Sequence, residues 1–311
     1  MTEHAGEIDQ GLLWKEEHLA PLPIPTGQPA SDLVNIIWRK NQVYLDIGSF
    51  VMAGGFITLH CLTFICLVVP AWVATSGDYW LSLAMLAVGG GLMGTLWCFF
   101  IKQWRKPLTP PIRFNRQRRE VCITEPDGSY WFVPWERVYA IAPSVTNLGT
   151  YGATKHGSLV LWFPLKGREH ETYGPDKKGW VLMVNPGGGI SSMAQWECIR
   201  SFMEVGPDEI PEPLENICGL SLKQIFLREF EKSRQVRGLF LTVVWEVGIM
   251  FPIFNPMGAH WITRKKLAHI PDLAAPEVVE WSRPLPHAQW AKRSPELEQA
   301  IAEREAELAA Q

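Results

Sequence analysis

Two long stretches of the sequence contain no charged residue. No Asp, Glu, Lys or Arg occurs in residues 47–74 or in residues 79–101, although charged residues make up 20% of the 311-residue chain. A helix that crosses the hydrocarbon core of a bilayer needs about 20 apolar residues, and both stretches exceed that length. Helices buried in a soluble core rarely lack charge over such a length, so this absence favours two membrane-spanning helices over a wholly soluble fold.

The beginning of the chain has no apolar run of the kind that targets a protein for export. A cleavable signal peptide places a short apolar core within roughly the first 15 to 30 residues, whereas here the first 40 residues are polar and rich in proline. We therefore expect no signal peptide. The predicted organisation starts with a polar, proline-rich segment at 1–43, followed by a transmembrane helical hairpin at 44–104.

Catalytic and metal-binding patterns are also missing. The six cysteines form no CxxC pair, and neither HExxH nor GxSxG occurs. His156, His170 and Asp176 share one polar stretch, but their spacing matches no known site. We expect free thiols in a reducing compartment, no cofactor, no metal and no enzymatic activity.

Basic residues are absent from the turn between the apolar stretches, which reads TSGDYW and contains only Asp78 as a charged residue. Positive charge near the ends of membrane helices stays in the cytoplasm, so both termini should be cytoplasmic and the turn should be external. A net charge of -3 argues against nucleic-acid binding. The predicted membrane-flanking basic residues are Arg39, Lys40, Lys102, Arg105, Lys106, Arg113, Arg116, Arg118 and Arg119.

Three residues inside the apolar stretches have specific interpretations. Gly90 and Gly94 form a GxxxG pattern that permits close approach of two helices. Packing of the hairpin on itself is the favoured interpretation, and a homodimer is the alternative. His60 lies in the middle of the first stretch, where an ionisable side chain is often functional. Since neither stretch contains an acidic partner, a polar contact with another helix is favoured over ion transport.

The pattern changes to short strands after residue 112. EVCITEPDGSYWFVPW (120–135) has β-branched and aromatic residues on both sides of a Pro-Asp-Gly turn, which predicts a β-hairpin. Further strands are predicted at 138–142, 158–164 and 180–184. A helix follows, with Ser192 and Gln195 as a capping box and a stop at 206–207.

This order predicts a cytoplasmic, mainly-β domain at 112–206, built as an antiparallel sheet or small barrel and closed by a helix. It resembles the pleckstrin-like domains of bacterial membrane proteins. The predicted fold class is therefore α+β, with a membrane hairpin before this domain and a helical region after it.

The C-terminal third is predicted to be helical, as a region at 207–293 and a charged helix at 294–311. Residues 221–237 have the periodicity of an amphipathic helix. Residues 238–262 are apolar, but Glu246 and two prolines interrupt them and basic residues flank both ends. A re-entrant or packed segment satisfies both flanks better than a third full crossing. The last helix is expected to be a solvated tail, with a partner helix as the alternative.

Several features together resemble an uncharacterised family of bacterial two-transmembrane-helix proteins whose genes lie near type VI secretion effector genes. The resemblance covers residues 35–265 and rests on the apolar pair followed by PIRFNRQRREV, VPWERVYA and QWECIRSFMEVGPDEIP. It implies an immunity or accessory protein of the bacterial inner membrane that binds a secreted toxin or a secretion component, with the lipid bilayer as its other partner. A lipid- or peptide-sensing membrane regulator is the alternative function.

Overall fold

The computed structural model describes residues 4–48, 52–149, 152–171, 173, 177–213 and 220–310. The chain divides into two compact units, each built from separate stretches of sequence. Unit 1 comprises Met1–Ser49, Thr109–Leu214 and Pro271–Gln311, and unit 2 comprises Phe50–Leu108 and Glu215–Ile270. The chain therefore leaves unit 1 twice and returns to it twice.

The described strands all lie in unit 1. In chain order they are β1 (Ile8–Gln10), β2 (Trp14–Ala20), β3 (Ile37–Lys40), β4 (Tyr44–Ile47), β5 (Ile112–Asn115), β6 (Glu120–Thr124), β7 (Tyr130–Pro134), β8 (Tyr139–Gly149), β9 (Gly152–Pro164) and β10 (Gly179–Gly187). They form two antiparallel sheets, sheet A in the order β1-β2-β8-β9-β10 and sheet B in the order β3-β4-β5-β6-β7.

Helices occur in both units. They are α1 (Ala53–Thr75), α2 (Tyr79–Arg105), α3 (Gly189–Glu204), α4 (Leu222–Arg237), α5 (Leu239–Thr242), α6 (Pro256–Leu267), α7 (Pro276–Trp281) and α8 (Pro295–Ala309), with a π-helix at Val243–Phe254 between α5 and α6. Short 3₁₀ turns lie at Trp135–Arg137, Pro207–Glu209 and His287–Gln289.

The core of unit 1 consists of buried side chains from the two sheets and from α3. Phe114, Trp135, Trp196 and Phe202 are each at most 1% exposed. The rings of Trp135 and Trp196 stack with their centroids 5.5 Å apart. Aromatic side chains of this size contribute much of the buried apolar area of a domain, so these residues account for a large share of its stability. The α+β architecture expected from the sequence is confirmed for this unit.

The hairpin predicted around the Pro-Asp-Gly turn is confirmed as β6 and β7. Gly128 adopts φ +86°, which an L side chain rarely tolerates, and its N–H donates to the carbonyl of Glu125 at 2.9 Å. The three further predicted strands are also present as β8, β9 and β10, each extending beyond the predicted range.

The N-terminal region belongs to the same unit as the domain predicted at 112–206. β1 and β2 join sheet A through β8, whereas β3 and β4 join sheet B through β5. The boundary placed at 43/44 falls just before β4, so the predicted hairpin range 44–104 begins with a strand of the sheet domain. Partners this distant in sequence leave no local pattern, which is why the segment looks merely polar when taken alone.

The predicted capping box at the start of α3 is wrong. Gly188 is the N-cap of α3 and makes no side-chain cap, while Ser192 lies buried within the helix. The side chain of Gln195 instead accepts from the backbone N–H of Leu33 at 3.0 Å and donates to Asp32 at 2.9 Å. Gln195 therefore fastens the N-terminal segment to α3 rather than capping the helix.

The last helix begins where the sequence predicts, with Ser294 as N-cap accepting from the N–H of Leu297 at 3.2 Å. It is not a solvated tail, because Leu297 and Ile301 are buried. Arg304 also donates to the carbonyl of Pro25 at 3.2 Å. The thin apolar stripe of α8 is thus enough to pack this charged helix on unit 1.

In unit 2, α1 and α2 pack as a helical hairpin. By length and composition each can cross a membrane. Two hydrogen bonds join the helices: Trp97 Nε1 donates to Thr63 Oγ1 at 2.9 Å, and Ser82 Oγ donates to the carbonyl of Pro70 at 2.8 Å. Polar contacts of this kind between apolar helices favour one fixed alignment of the pair.

The apolar segment 238–262, interrupted in sequence by Pro252 and Pro256, breaks only before Pro256, and Pro252 lies inside the π-helix. Leu239–Phe254 and Pro256–Leu267 meet at an angle of 56°, the geometry of a broken span or a re-entrant loop. Asn255 sits at the bend with a left-handed φ of 45°, and its side chain caps α6 by accepting from the N–H of Gly258 at 2.9 Å. Counting the bent pair as one span, up to three segments can cross a membrane by length and composition.

Candidate functional site

The nine predicted flanking residues fall into two groups. Lys102, Arg105 and Lys106 lie at the end of α2 in unit 2 and are exposed. For them, contact with a membrane surface stays a prediction. The remaining six belong to unit 1: Arg39, Lys40, Arg113, Arg116, Arg118 and Arg119.

Asp46 and Arg113 form a buried ion pair across β4 and β5, where the strand register places them directly opposite each other. Arg113 donates from Nε to Oδ1 at 2.6 Å and from Nη2 to Oδ2 at 2.8 Å, and the two side chains are 3% and 0% exposed. Side chains opposite each other on neighbouring strands are close enough for this bidentate geometry. Arg39 and Asp272 complete the group, which we call the Asp46 cluster.

The Asp46 cluster joins the two strands between which the apolar hairpin is inserted in the sequence. The chain leaves unit 1 after β4 and returns to it at β5, and these two strands are paired neighbours. Strands paired in this way lie about 4.8 Å apart. The last strand before α1 and the first strand after α2 are therefore held side by side in sheet B.

Basic side chains also bind the parts of unit 1 that come just before and just after the second segment of unit 2, Glu215–Ile270. Asp272, just after the return to unit 1, accepts from Arg113 Nη2 at 2.8 Å and lies 3.4 Å from Arg39 Nη1. Before the departure, Lys40 Nζ donates to the carbonyls of Pro207 and Ile210, both at 3.0 Å. All these contacts lie within unit 1.

Residues 116–119 form the tight connection between β5 and β6, and we call them the basic turn. Asn115 shapes it, because its Oδ1 accepts from the backbone N–H groups of Gln117 at 3.0 Å and Arg118 at 3.1 Å. Arg119 adopts a left-handed φ of 53°. The turn directs the side chains of Arg116 and Arg119 to the end of α3, and those of Gln117 and Arg118 to residues 281–285.

The basic turn holds the C-terminal strap, which is the part of unit 1 at residues 271–294, and the end of α3. The contacts are Arg116 Nη2 to the carbonyl of Val205 at 2.8 Å, the backbone N–H of Leu285 to Gln117 Oε1 at 2.7 Å, and Arg118 Nε to the carbonyl of Trp281 at 2.9 Å. The strap also covers sheet B with an apolar face, in which the rings of Trp281 and Phe132 lie 4.9 Å apart.

Glu204, near the end of α3, is the acceptor at the centre of a second ionic group. Arg119 donates to its two carboxylate oxygens at 3.0 and 2.9 Å, Arg293 at 2.6 Å and Trp135 Nε1 at 2.7 Å. Its side chain is 1% exposed. Burial alone would raise the pKa of Glu204, but the hydrogen bonds and charge of Arg119, with Trp135 and Arg293, hold that pKa below its usual value.

These contacts correct the prediction for Arg113 and Arg119. Their side chains are 3% and 8% exposed, so they bind carboxylates inside unit 1 instead of facing solvent or lipid headgroups. Their partners lie far away in sequence, with Asp46 at a separation of 67 residues and Glu204 at 85. A charge cluster looks the same in the sequence whether its partners are lipids or distant carboxylates.

Gly90 and Gly94 do not mediate the packing of the hairpin on itself. A Cβ added at either position would meet no atom within 4 Å, whereas one added at Gly89 would lie 3.5 Å from the Sγ of Cys66. The favoured interpretation of the GxxxG pattern is therefore wrong. The homodimer alternative stays a prediction.

His60 makes the kind of contact expected from the sequence. Its Nε2 lies 3.2 Å from the carbonyl oxygen of Pro252, to which the Nε2–H tautomer donates, and its ring stacks on Phe56 at 5.9 Å. In an α-helix the carbonyl of Pro252 would accept a hydrogen bond from the backbone N–H four residues later. That residue is Pro256, which has no N–H, so the carbonyl can accept from His60 instead. His60 thus joins α1 to the π-helix.

The described cysteines are free: Cys61, Cys66, Cys98, Cys122 and Cys198. Burial raises the pKa of the Cys122 thiol to about 12, which keeps it protonated and unreactive at neutral pH. Within the described ranges, no three His, Cys, Asp or Glu side chains are grouped so that they could hold a metal ion. Of the polar stretch considered above, Asp176 lies outside the described residues.

No protein-family model, curated protein or solved structure matches this chain.

Proposed function

We propose that the chain is a non-enzymatic interaction protein of a bacterial inner membrane, anchored by α1 and α2, with unit 1 in the cytoplasm. One observation carries this proposal: the helical hairpin is inserted between β4 and β5, which are paired neighbours in sheet B. A segment attached in this way must enter and leave the bilayer on the same side, so it crosses an even number of times.

Charge supports the cytoplasmic orientation. The sequence of unit 2 contains eleven Lys and Arg against five Asp and Glu, and three of its basic residues directly follow the apolar part of α2. The turn between α1 and α2 contains one charged residue, the acidic Asp78. Both features match the retention of positive charge on the cytoplasmic side.

The orientation can be tested with single cysteines introduced into a chain from which the natural ones have been removed. In intact spheroplasts, a membrane-impermeant maleimide should label Ser76→Cys, in the turn after α1, but not Asp127→Cys, in the exposed turn between β6 and β7. Both variants should be labelled to the same extent after lysis. Labelling of Asp127→Cys in intact spheroplasts would contradict the proposed orientation.

Unit 1 is the part that we propose binds a protein partner. Its sequence contains eighteen Lys and Arg against twenty-seven Asp and Glu, so a partner with a basic surface is electrostatically complementary to it. The sequence resemblance described above gives the specific form of this proposal, an immunity or accessory protein for a toxin of a type VI secretion system.

Deleting the gene should make cells sensitive to siblings that deliver the toxin, and expressing the full chain again should restore their survival. Attackers that lack the secretion apparatus serve as the control, because they should kill neither strain. If the deletion strain competes normally while toxin delivery is verified, the immunity role is excluded.

The alternative, a lipid- or peptide-sensing regulator built on a pleckstrin-like domain, loses part of its motivation. It rests on the pleckstrin-like order of elements and on the basic juxtamembrane segment, whose positive charge would attract anionic headgroups. In the structure, Arg113 and Arg119 are already paired with buried carboxylates. The pleckstrin-like assignment itself stays a prediction.

A further inference from the structure

A groove of about 390 Å³ lies within unit 2, between α4 and the π-helix. The wall from α4 consists of one face of an α-helix, since Phe226, Phe230, Ser233 and Arg237 follow one another at intervals of three or four residues. The rings of Phe226 and Phe230 lie 5.9 Å apart. The groove is large enough for a small ligand or for part of a larger one.

The opposite wall depends on the π-helical geometry. Trp245, Glu246, Met250 and Phe251 all line the groove. A π-helix, bonded from i to i+5, is wider than an α-helix, so residues five apart lie nearer to one side of it, and Trp245, Glu246, Met250 and Phe251 line the groove together. The wider coil thus presents three large apolar side chains and one carboxylate to the groove together.

Charges of both signs line these apolar walls in equal number. Arg237 Nη1 lies 3.8 Å from Glu246 Oε1, and Arg237 Cζ lies 5.0 Å from the centre of the Trp245 ring. Lys232 Nζ lies 3.3 Å from Glu229 Oε1. The side chains of Arg237 and Lys232 are 45% and 65% exposed. Ion pairs this open are worth little, so a ligand with its own charges can replace them at small cost.

We propose that this groove binds a zwitterionic phospholipid with a phosphate and a primary ammonium in its headgroup, as in phosphatidylethanolamine. Arg237 and Lys232 would bind the phosphate, and Glu246 and Glu229 would bind the ammonium. The apolar walls would contact the part of an acyl chain nearest the headgroup. The balance of charge favours this lipid, because an anionic headgroup would take Arg237 away from Glu246 and leave Glu229 with Arg228, 3.4 Å away, in place of Lys232. The proposal rests on the proposed membrane location.

The test is native mass spectrometry of the full chain in mild detergent, with phosphatidylethanolamine, phosphatidylglycerol and phosphatidylcholine supplied in equal amounts. We expect one bound phosphatidylethanolamine, retained roughly tenfold better than either competitor, which corresponds to about 1.4 kcal/mol. Phosphatidylcholine is the informative competitor, since its quaternary ammonium cannot donate hydrogen bonds to Glu246 and Glu229.

Two variants assign the binding to this groove. Glu246→Gln should remove the preference for phosphatidylethanolamine and raise the retention of phosphatidylglycerol, whereas Arg237→Gln should weaken the retention of both lipids. Glu231→Gln is the matched control, because Glu231 lies on the same helix and pairs with Arg234 at 2.7 Å without lining the groove. It should leave retention unchanged.

Equal or better retention of phosphatidylglycerol by the unaltered chain would overturn the headgroup assignment. The binding site itself would be overturned if no lipid is retained, or if Glu231→Gln acts like Glu246→Gln. Membrane fractionation of the same cells separates these outcomes from failure of the proposed function. A chain that stays in the membrane fraction but retains no lipid contradicts the groove alone, and a chain found in the soluble fraction contradicts the anchor.

Discussion

Replacing Arg113 by Met should lower the free energy of unfolding of the full chain by about 3 to 5 kcal/mol, the usual cost of removing one partner from a buried ion pair. Asp46 is completely buried, and after the substitution Arg39, which is partly exposed and lies 3.5 Å away, would be its one basic partner among the described residues. The loss should appear as a lower urea midpoint for the Trp fluorescence of the full chain, measured in detergent.

The matched control is Arg283→Met. Arg283 pairs with Glu280 at 2.8 Å, but the two side chains are 68% and 67% exposed. Exposed pairs of this kind contribute little to stability, so the urea midpoint should hardly change. An equal effect of the two substitutions would contradict the importance of burial for the Asp46–Arg113 pair.

A double substitution, Asp46→Leu with Arg113→Met, separates loss of the charge pair from loss of packing. It removes both charges and keeps a similar side-chain volume, and replacement of a buried pair by apolar residues is often neutral. We therefore expect the double variant to recover most of the stability that Arg113→Met loses. If it is no more stable than the single variant, the ion pair specifies the alignment of β4 and β5 in a way that apolar side chains cannot.

Features of the fold with a local cause were predictable from the sequence. The lengths of α1 and α2 follow from two charge-free stretches, and the β6–β7 hairpin follows from a glycine at a position of positive φ. The break near Pro256 follows from proline chemistry together with a preceding Asn that tolerates a left-handed φ. In each case the residues that determine the structure lie within a few positions of one another.

Features that depend on distant partners were not predictable. β2 is a strand because it pairs with β8, more than one hundred residues later. The polar sequence of β2 does not predict this partner. Ser192 and Gln195 have the residue types and spacing of a capping box. In the structure, however, the side chain of Gln195 forms hydrogen bonds with Asp32 and with the backbone of Leu33. Local charge predicts a membrane flank at the basic turn, because the sequence pattern cannot reveal that Arg119 binds a carboxylate 85 residues away.

Replacing Glu204 by Gln should lower the free energy of unfolding at neutral pH by on the order of 3 kcal/mol, the low end of the range for breaking a buried pair. Gln keeps the size of the side chain and an acceptor for Trp135, but it leaves Arg119 and Arg293 without their shared carboxylate. Glu136, 3.1 Å from Arg119, retains part of the interaction, which is why we expect the smaller value. Urea unfolding of the two full-length chains gives the difference.

The same difference should depend on pH in a definite direction. Because the pKa of Glu204 is lower in the folded chain than in the unfolded one, its contribution is complete above the unfolded pKa, about 4.3. It is lost as the pH falls through the lower folded value, where the folded chain takes up the proton as well. The stability gap between the natural chain and Glu204→Gln should therefore be constant from pH 7 to about 5 and shrink in more acidic solution.

Glu280→Gln serves as the control for this pH series, since Glu280 belongs to an exposed pair and its removal should produce little change at any pH. A gap for Glu204→Gln that widens in acid would mean that burial outweighs Arg119 and raises the pKa of Glu204. The ionic group would then weaken the attachment of the C-terminal strap at neutral pH instead of strengthening it. A shrinking gap means that the carboxylate is held in its charged form, and that Arg119 and Arg293 fasten α3 and the strap to the basic turn by charge.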